Sequence, residues 1–280
     1  MTEYNETALA PATDGSKTDA DLSASHARVP AAHEEDWFKP CAVIPVYNHE
    51  RTLPEVVAVL LAEDLPCILV DDGSHPVAAK VIDALAAQPS VHLVRHAHNR
   101  GKGGAVVSGL REAARLGFSH ALQVDADGQH DLSAVGRFLD RASQAPDAVV
   151  CGYPQFDASI PASRRYGRYL TQAWVWINTL SISIRDSMCG FRVYPLATTL
   201  ALTDSVQMGS RMDFDSEILV RMHWQDQPMV WLPTRVRYPA DGVSHFRLWQ
   251  DNLLISAMHA RLFFGMLVRA PGLIWRRLQG

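Results

Sequence analysis

The sequence predicts an α/β fold: a mostly parallel sheet with helices on both faces, followed by an amphipathic C-terminal helix. Three observations carry that prediction. Apolar runs of strand length alternate with helix-length segments four times in about 110 residues, from Cys41 to Gly152. Acids, asparagines, glycines and a lysine gather where those runs end, at the sheet edge where parallel sheets hold ligands. Residues 253–280 mix apolar side chains with four arginines and no acid.

The elements follow in order. Cys41-Ala42-Val43-Ile44-Pro45-Val46 reads as a buried strand, and Tyr47 to Arg51 as its loop. A helix is expected over 53–62, with Thr52 as cap and Pro54 in its first turn. Residues 67–70 form the second strand, ending at Asp71-Asp72-Gly73-Ser74, and 77–87 the second helix. Strand 91–94 leads through His98-Asn99-Arg100-Gly101-Lys102 into helix 103–116. Strand 121–124, helix 132–143 and strand 148–152 complete the regular half. Beyond it the pattern predicts a helix over 163–182, two strands (229–232 and 236–238) separated at Pro233, and a helix over 248–268 that ends near Pro271-Gly272. With no linker after residue 40, the organisation reads as an acidic disordered leader (1–37), one catalytic domain (38–250) and a C-terminal amphipathic segment (251–280).

Bulk properties narrow the classes. The chain has 280 residues, 48% of them hydrophobic, enough for a large core. A net charge of -4 excludes a broad basic surface for nucleic acid. The charge is uneven: residues 1–40 carry eight acids against three Lys/Arg. That start lacks an apolar segment of the signal-peptide kind. No unbroken apolar run approaches the ~18 residues of a membrane span. The four cysteines, Cys41, Cys67, Cys151 and Cys189, are widely spaced beside apolar runs, which predicts reduced, buried thiols in a cytoplasmic protein.

The chemistry centres on Asp125-Ala126-Asp127-Gly128-Gln129-His130-Asp131. Two carboxylates one residue apart at a strand end point to one side of the sheet and repel unless neutralised. Hard oxygen ligands suit Mg²⁺ or Mn²⁺, which complete their shells with substrate phosphates. Asp71-Asp72-Gly73-Ser74 offers acceptors for a base or ribose, or else a plain turn with Ser74 capping the next helix. Arg100-Gly101-Lys102-Gly103-Gly104 opens a helix where backbone N–H groups and Lys102 suit an anion, with a tight turn and a solvated lysine as the plain alternative. Asp213, Asp215 and Glu217 are candidate bases, or else a helix start with Asp213 as cap and Glu217 on the surface. His245 and Arg247 are placed to hold a departing diphosphate on a closing loop, or form a polar loop.

The ordered set Ile44 to Asn48, Val70 to Ser74, Asn99 to Gly103, Asp125 to His130, Asp186 to Arg192 and Ser244-His245 resembles family 2 glycosyltransferases, over residues 41 to about 250. The branch it resembles most is that of the polyprenyl-phosphate (dolichyl-phosphate) mannose synthase-like enzymes. The resemblance implies a GT-A type, Rossmann-like fold. It also implies inverting transfer of a sugar from a nucleotide-sugar donor to a lipid or polyprenyl-phosphate acceptor. Under it, Pro45, Tyr47 and Asp72 lie against the nucleoside, Lys102 and Ala126 near the nucleotide, and Asp125, Asp127 and Gln129 around Mg²⁺ or Mn²⁺. Asp127, Asp213, Asp215 and Arg247 are then the candidates for catalysis.

Two departures are visible. The pattern often carries Gly-x-Arg after the fifth strand, where this chain has Gly152-Tyr153-Pro154; Arg164, Arg165 and Arg168 are candidate substitutes. His75-Pro76 replaces a further acid after Ser74. Competing readings are a nucleotidyltransferase, disfavoured by Pro45 to His49 in place of a Gly- and Lys/Arg-rich loop, and a noncatalytic nucleotide-sugar-binding scaffold. The C-terminal segment is expected to lie peripherally on the inner face of a membrane, with its arginines toward lipid phosphates.

Overall fold

The alternation of apolar residues along the first two strands builds two cores, one on each side of a sheet. Cys41, Val43, Ile68 and Val70 face one cluster; Ala42, Ile44, Cys67 and Leu69 face the other. The structure, a computed structural model, describes residues 37–156, 162–236 and 248–279; the expected leader lies outside them. The regular half comprises β1 (Pro40–Val46), α1 (Leu53–Ala62), β2 (Cys67–Asp71), α2 (Pro76–Ala86), β3 (Val91–Arg95), α3 (Lys102–Arg115), β4 (His120–Gln123), α4 (Val135–Gln144) and β5 (Val149–Phe156). Then follow α5 (Ala162–Thr179), β6 (Arg192–Pro195), α6 (Leu196–Ser205), α7 (Phe214–Trp224), β7 (Met229–Val236) and α8 (Leu248–Gln279).

The seven strands run in the order β3-β2-β1-β4-β6-β5-β7. All pairings are parallel except those of β6, which is antiparallel to both β4 and β5. Leu53, Val57 and Leu60 of α1, Ile82 of α2 and Phe138 of α4 cover one face. Leu110 of α3, Leu202 of α6, Ile218 of α7 and Met258 of α8 belong to the other core. Burying each such side chain contributes about 1.5–3 kcal/mol. The reversal of β6 brings the loop before it, Asp186 to Gly190, to the carboxyl end of β4.

Several sequence expectations are corrected. The fifth strand runs on to Phe156, because β7 pairs with it in parallel from Val149 to Phe156. β7 passes straight through Pro233; it is an edge strand, where a missing N–H is tolerated. Residues 237–238 of the second expected strand lie outside the described residues. The helix expected over 132–143 is a short 3₁₀ turn, Leu132–Ala134, followed by α4. Thr52 does not cap α1; its hydroxyl donates to Ala126 O at 2.5 Å. His75, not Ser74, caps α2, accepting from Ala78 N–H through Nδ1. The last helix does not stop at Pro271 but contains it, so Trp249–Gln279 is by length and composition long and apolar enough to cross a bilayer. All four cysteines are free and buried.

Candidate active site

The candidate residues meet where the loops after β1, β2, β3 and β4 leave the sheet. The first two loops are tied together: Asn48 N–H donates to Ser74 Oγ at 3.2 Å, and His75 N–H to Asn48 Oδ1 at 2.9 Å. Asn48 takes a left-handed backbone (φ 56°), which its short polar side chain tolerates. Pro45 and Tyr47 line the end of β1, both half-buried.

Asp72 is buried and fully engaged. Its Oδ1 accepts from Arg100 N–H at 2.8 Å and lies 2.7 Å from His96 Nδ1; its Oδ2 accepts from Gly101 N–H at 2.8 Å. Gly101 has φ +93°, a conformation that disfavours any side chain. Asp72 therefore shapes the turn that starts α3. Asp71 does the same nearby, accepting from Ser74 N–H at 2.9 Å and from Arg95 Nε at 2.8 Å. Both carboxylates are thus spent on the protein's own loops.

Lys102, the first residue of α3, is neither solvated nor free. Its Nζ lies 2.9 Å from Asp125 and 2.9 Å from Asp215 Oδ2. Burial opposes its charge, but Asp125 and Asp215 outweigh that and raise its pKa. Burial likewise works against the Asp125 carboxylate, and Lys102 and His130 more than compensate, so its pKa is lowered. Asp215 is held further by Gln123 Nε2 at 3.3 Å and by the fully buried Arg192, whose Nη1 is 3.8 Å from Oδ1 and 2.8 Å from the Asp215 carbonyl oxygen. Tyr194 bridges Gln123 and Arg192; burial, with Asp215 nearby, outweighs the lowering effect of Arg192 and pushes its pKa up to about 12. The cluster thus sets two permanent cations against two carboxylates.

Gly190 seals this cluster. A Cβ there would stand 2.8 Å from Gln123 Nε2, 2.8 Å from Lys102 Nζ and 2.9 Å from Asp125 Oδ2. The run Asp186 to Arg192 therefore contributes backbone clearance at Gly190 and a buried cation at Arg192, roles that its sequence alone does not announce.

The acid pair is displayed differently from the expectation. β4 ends at Gln123, so Asp125 and Asp127 lie in the following turn and strand alternation does not set their direction. Asp127 Oδ1 accepts from Gln129 N–H at 3.0 Å. Ala126 is buried, and its carbonyl holds Thr52. His130 Nε2 is 3.5 Å from Asp125 Oδ2, and a bridge from His130 to Val236 ties this turn to β7. His130 belongs to the Asp125 to Asp131 run, but nothing in the spacing of that run announces its contact with Asp125.

The residues fit a hard divalent cation. Asp125 Oδ1 is buried, 2.9 Å from Lys102 Nζ, and has no hydrogen-bond donor among the described residues, the state of an oxygen that can take a share of a cation's shell. Among the described residues no group of three or more His, Cys, Asp or Glu forms a complete cage. Mg²⁺ and Mn²⁺ need none when one or two carboxylates and substrate phosphates complete the shell.

The remaining candidates separate. Asp213 is buried beside the start of α7; it makes no helix cap and instead accepts from Arg211 N–H at 3.1 Å. Glu217 is not on the surface but fully buried, 2.7 Å from both Arg221 and Arg261 and accepting from Gly209 N–H. Arg168 makes a two-pronged pair with Asp186 at 2.7 Å. The side chains of Arg164 and Arg165, and all of Ser244, His245 and Arg247, lie outside the described residues.

Comparison with known proteins places these features. The family model "Glycosyl transferase family 2" matches residues 41–202. A dolichyl-phosphate beta-glucosyltransferase of Dictyostelium discoideum is 28% identical over 199 residues, covering 63% of this chain and 60% of that protein. A UDP-N-acetylglucosamine–dolichyl-phosphate N-acetylglucosaminyltransferase of Methanococcus voltae is 26% identical over 196 residues, covering 64% and 77%. The chain thus spans three fifths of the first relative's length and about three quarters of the second's. Glucosyl-3-phosphoglycerate synthase from Mycobacterium tuberculosis, solved with Mn²⁺, UDP and phosphoglyceric acid, shares the fold: TM-score 0.61, 13% identity, 82% of this chain and 78% of that one.

Proposed function

The chain belongs to glycosyl transferase family 2, and from that premise we propose that it moves a sugar from a nucleotide-sugar donor to a polyprenyl-phosphate or related lipid acceptor, with inversion. The observation that carries this reading is the buried cluster of Lys102, Asp125 and Asp215 at the carboxyl edge of the sheet. It supplies an ammonium donor and carboxylate oxygens suited to a divalent cation where a diphosphate would leave. Relatives named for dolichyl-phosphate acceptors support the acceptor class.

Each side chain then has a task. Pro45 and Tyr47 contact the nucleoside. Asp72 acts through the backbone, setting Arg100 and Gly101 so that the start of α3 faces the diphosphate. Lys102 donates to the leaving diphosphate, and Asp215, itself anchored by Arg192, holds it in line. Mg²⁺ or Mn²⁺ held by Asp125, Asp127 and Gln129 would supply Lewis-acid neutralisation of the diphosphate as it departs. A phosphate acceptor is already an anion and needs little deprotonation. Asp213, which accepts from the Arg211 N–H, is better placed as a base than Asp215, whose charge is committed to Lys102. Arg247 is a further proposed contact to the diphosphate.

The protein works at the inner face of the cytoplasmic membrane, with α8 lying on it. Contacts of His259, Arg261, Arg276 and Arg277 hold α8 against the domain, which favours lying along the surface over crossing the bilayer. Two of the four arginines are paired with acids of the domain, and two meet neutral groups and keep their charge. Arg261 pairs with Glu217, Arg269 covers Trp224, Arg276 pairs with Asp226, and Arg277 donates to Leu180 O.

The test is transfer of labelled sugar from UDP- and GDP-sugars to a short polyprenyl phosphate with Mn²⁺. The expected result is a lipid-linked product, lost with chelator and reduced at least a hundredfold in Asp127→Ala. Full activity of Asp127→Ala would sink the metal assignment, and no product from any donor would sink the acceptor class.

A further inference from the structure

The helix α5 is turned inside out. Its buried side chains include Thr171, Gln172, Asn178 and Thr179, with Asn178 fully buried. Tyr166, Tyr169, Leu170, Trp174 and Ile177 are exposed, Leu170 by 66%. A water-facing helix carries the opposite arrangement. Three of these buried side chains are bonded: Gln172 donates to Ile184 O at 2.6 Å, Thr179 to Val175 O at 2.9 Å, and Asn178 Nδ2 lies 3.1 Å from His259 Nδ1 of α8, while Asn178 Oδ1 has no partner among the described residues.

The neighbouring α8 continues the same surface. Met258, Leu262 and Met266 pack inward, yet Trp249, Leu253, Phe264, Val268 and Leu278 also stand exposed, Val268 by 81%. A helix with apolar side chains on its outer as well as its inner side has more apolar surface than packing on the domain covers. Where the C-terminal ends of α5 and α8 meet, Trp176, Ile177, Ile182, Ile274 and Leu278 line an open groove of about 710 Å³ with Arg277 at its rim. Apolar surface of this extent marks a docking face rather than ordinary exposure.

Charge selects the occupant. α5 contains three arginines and no acid, and α8 four arginines and one acid, Asp251. Among the described residues, the exposed Arg269 and Arg277 meet only a ring and carbonyl oxygens, which leave their charge in place, and Glu217 is shared by Arg221 and Arg261, so positive charge is left over along the margin of the apolar face. Tyrosine and tryptophan beside arginine suit the headgroup level of a bilayer.

We infer that α5 and α8 together form one docking face for an anionic lipid bilayer, with the outer side chains of α5 inserted among the lipids beside those of α8. This rests on the transferase reading and extends it. Membrane contact is assigned to a second helix, and that helix is joined to the catalytic edge: Arg168 of α5 holds Asp186, at the head of the loop whose Gly190 closes over Lys102 and Asp125. The acceptor's headgroup would then be presented beside the site by the bilayer itself.

The experiment is flotation of the full chain with phosphatidylcholine vesicles, with and without 30% phosphatidylglycerol. It is run alongside size-exclusion light scattering without lipid and calorimetry of Mn²⁺-UDP-sugar binding. Leu170→Glu with Ile177→Glu alters only exposed positions of α5; Leu267→Glu with Val268→Glu does the same on α8. The expected result is a lipid-free monomer that floats with anionic vesicles, and at least a tenfold loss of binding in each double variant with donor binding unchanged. Wild-type flotation by the α5 variant would overturn the inference and leave an α8 contact. So would a lipid-free dimer that the α5 substitutions dissociate, since a second copy would then own the face. Absence of vesicle binding with donor binding intact overturns it too, while leaving donor recognition standing.

Discussion

Lys102 and Asp125 form an ion pair of 2.9 Å across the carboxyl edge of the sheet, joining the first residue of α3 to the turn after β4. The same ammonium reaches Asp215 at the start of α7. One side chain therefore sets the spacing of three loops, and both carboxylates depend on it for neutrality.

Lys102→Met removes that neutrality. Two largely buried carboxylates lose a partner, which costs about 2–4 kcal/mol. Urea unfolding should show a lower midpoint with an unchanged slope. Millimolar Mn²⁺ should restore more stability to the variant than it adds to the wild type, since a divalent cation can replace the missing charge at Asp125. An unchanged midpoint would show that the pair does not hold the loops.

Gly190→Ala tests clearance. The added methyl would stand within 3 Å of Gln123, Lys102 and Asp125. These atoms must give way, at a cost of about 1–3 kcal/mol. Calorimetry should show nucleotide diphosphate affinity reduced at least tenfold, a larger effect than the lost stability would suggest. Wild-type affinity would place the diphosphate away from this cluster.

Asp72→Asn separates a scaffold from a ligand contact. The amide cannot accept from both Arg100 and Gly101 while facing His96, so about 2 kcal/mol is lost and the turn before α3 loosens. Hydrogen exchange at the Arg100 and Gly101 amides should accelerate at least tenfold in the absence of any nucleotide. Unchanged exchange, with weaker nucleoside binding, would make Asp72 a direct ligand instead.

Acid sensitivity should follow the buried histidine between α5 and α8. Burial holds the His259 pKa down at about 4, from 6.5. The unfolded chain therefore takes up this proton first. The contribution is complete above pH 6.5 and is lost as pH falls from 6.5 toward 4. His259→Gln should flatten part of the fall in Tm between pH 7 and 5. Burial also lowers the pKa of His120 and His223, which act with the same sign and remain in the variant. A variant profile parallel to wild type would contradict this.

Much of the fold was legible because local pattern and tertiary role agree. From β1 to α4 each apolar run is a strand or a helix face, and each break is a loop at the sheet edge. The second half hid its elements for identifiable reasons. β6 is four residues long and follows a polar loop, and its direction depends on β4 and β5, distant in sequence. Pro233 and Pro271 read as breaks, yet one sits on an edge strand, where a lost N–H is tolerated, and the other lies inside α8, whose packing continues beyond it through Leu273 and Arg276. In the site, the motifs located Lys102 and Asp125 but not their partnership. The pairing of Lys102 with Asp215, the saturation of Asp72 by backbone N–H groups and the burial of Glu217 all arise from loops that only the folded sheet brings together.

The most direct test of the central claim is calorimetric titration of the wild-type chain and Asp125→Ala with a panel of UDP- and GDP-sugars, with and without Mn²⁺. The account predicts that one nucleotide class binds, that Mn²⁺ tightens it at least tenfold, and that Asp125→Ala abolishes the metal effect. Binding of no nucleotide sugar, or binding indifferent to both Mn²⁺ and Asp125, would contradict it.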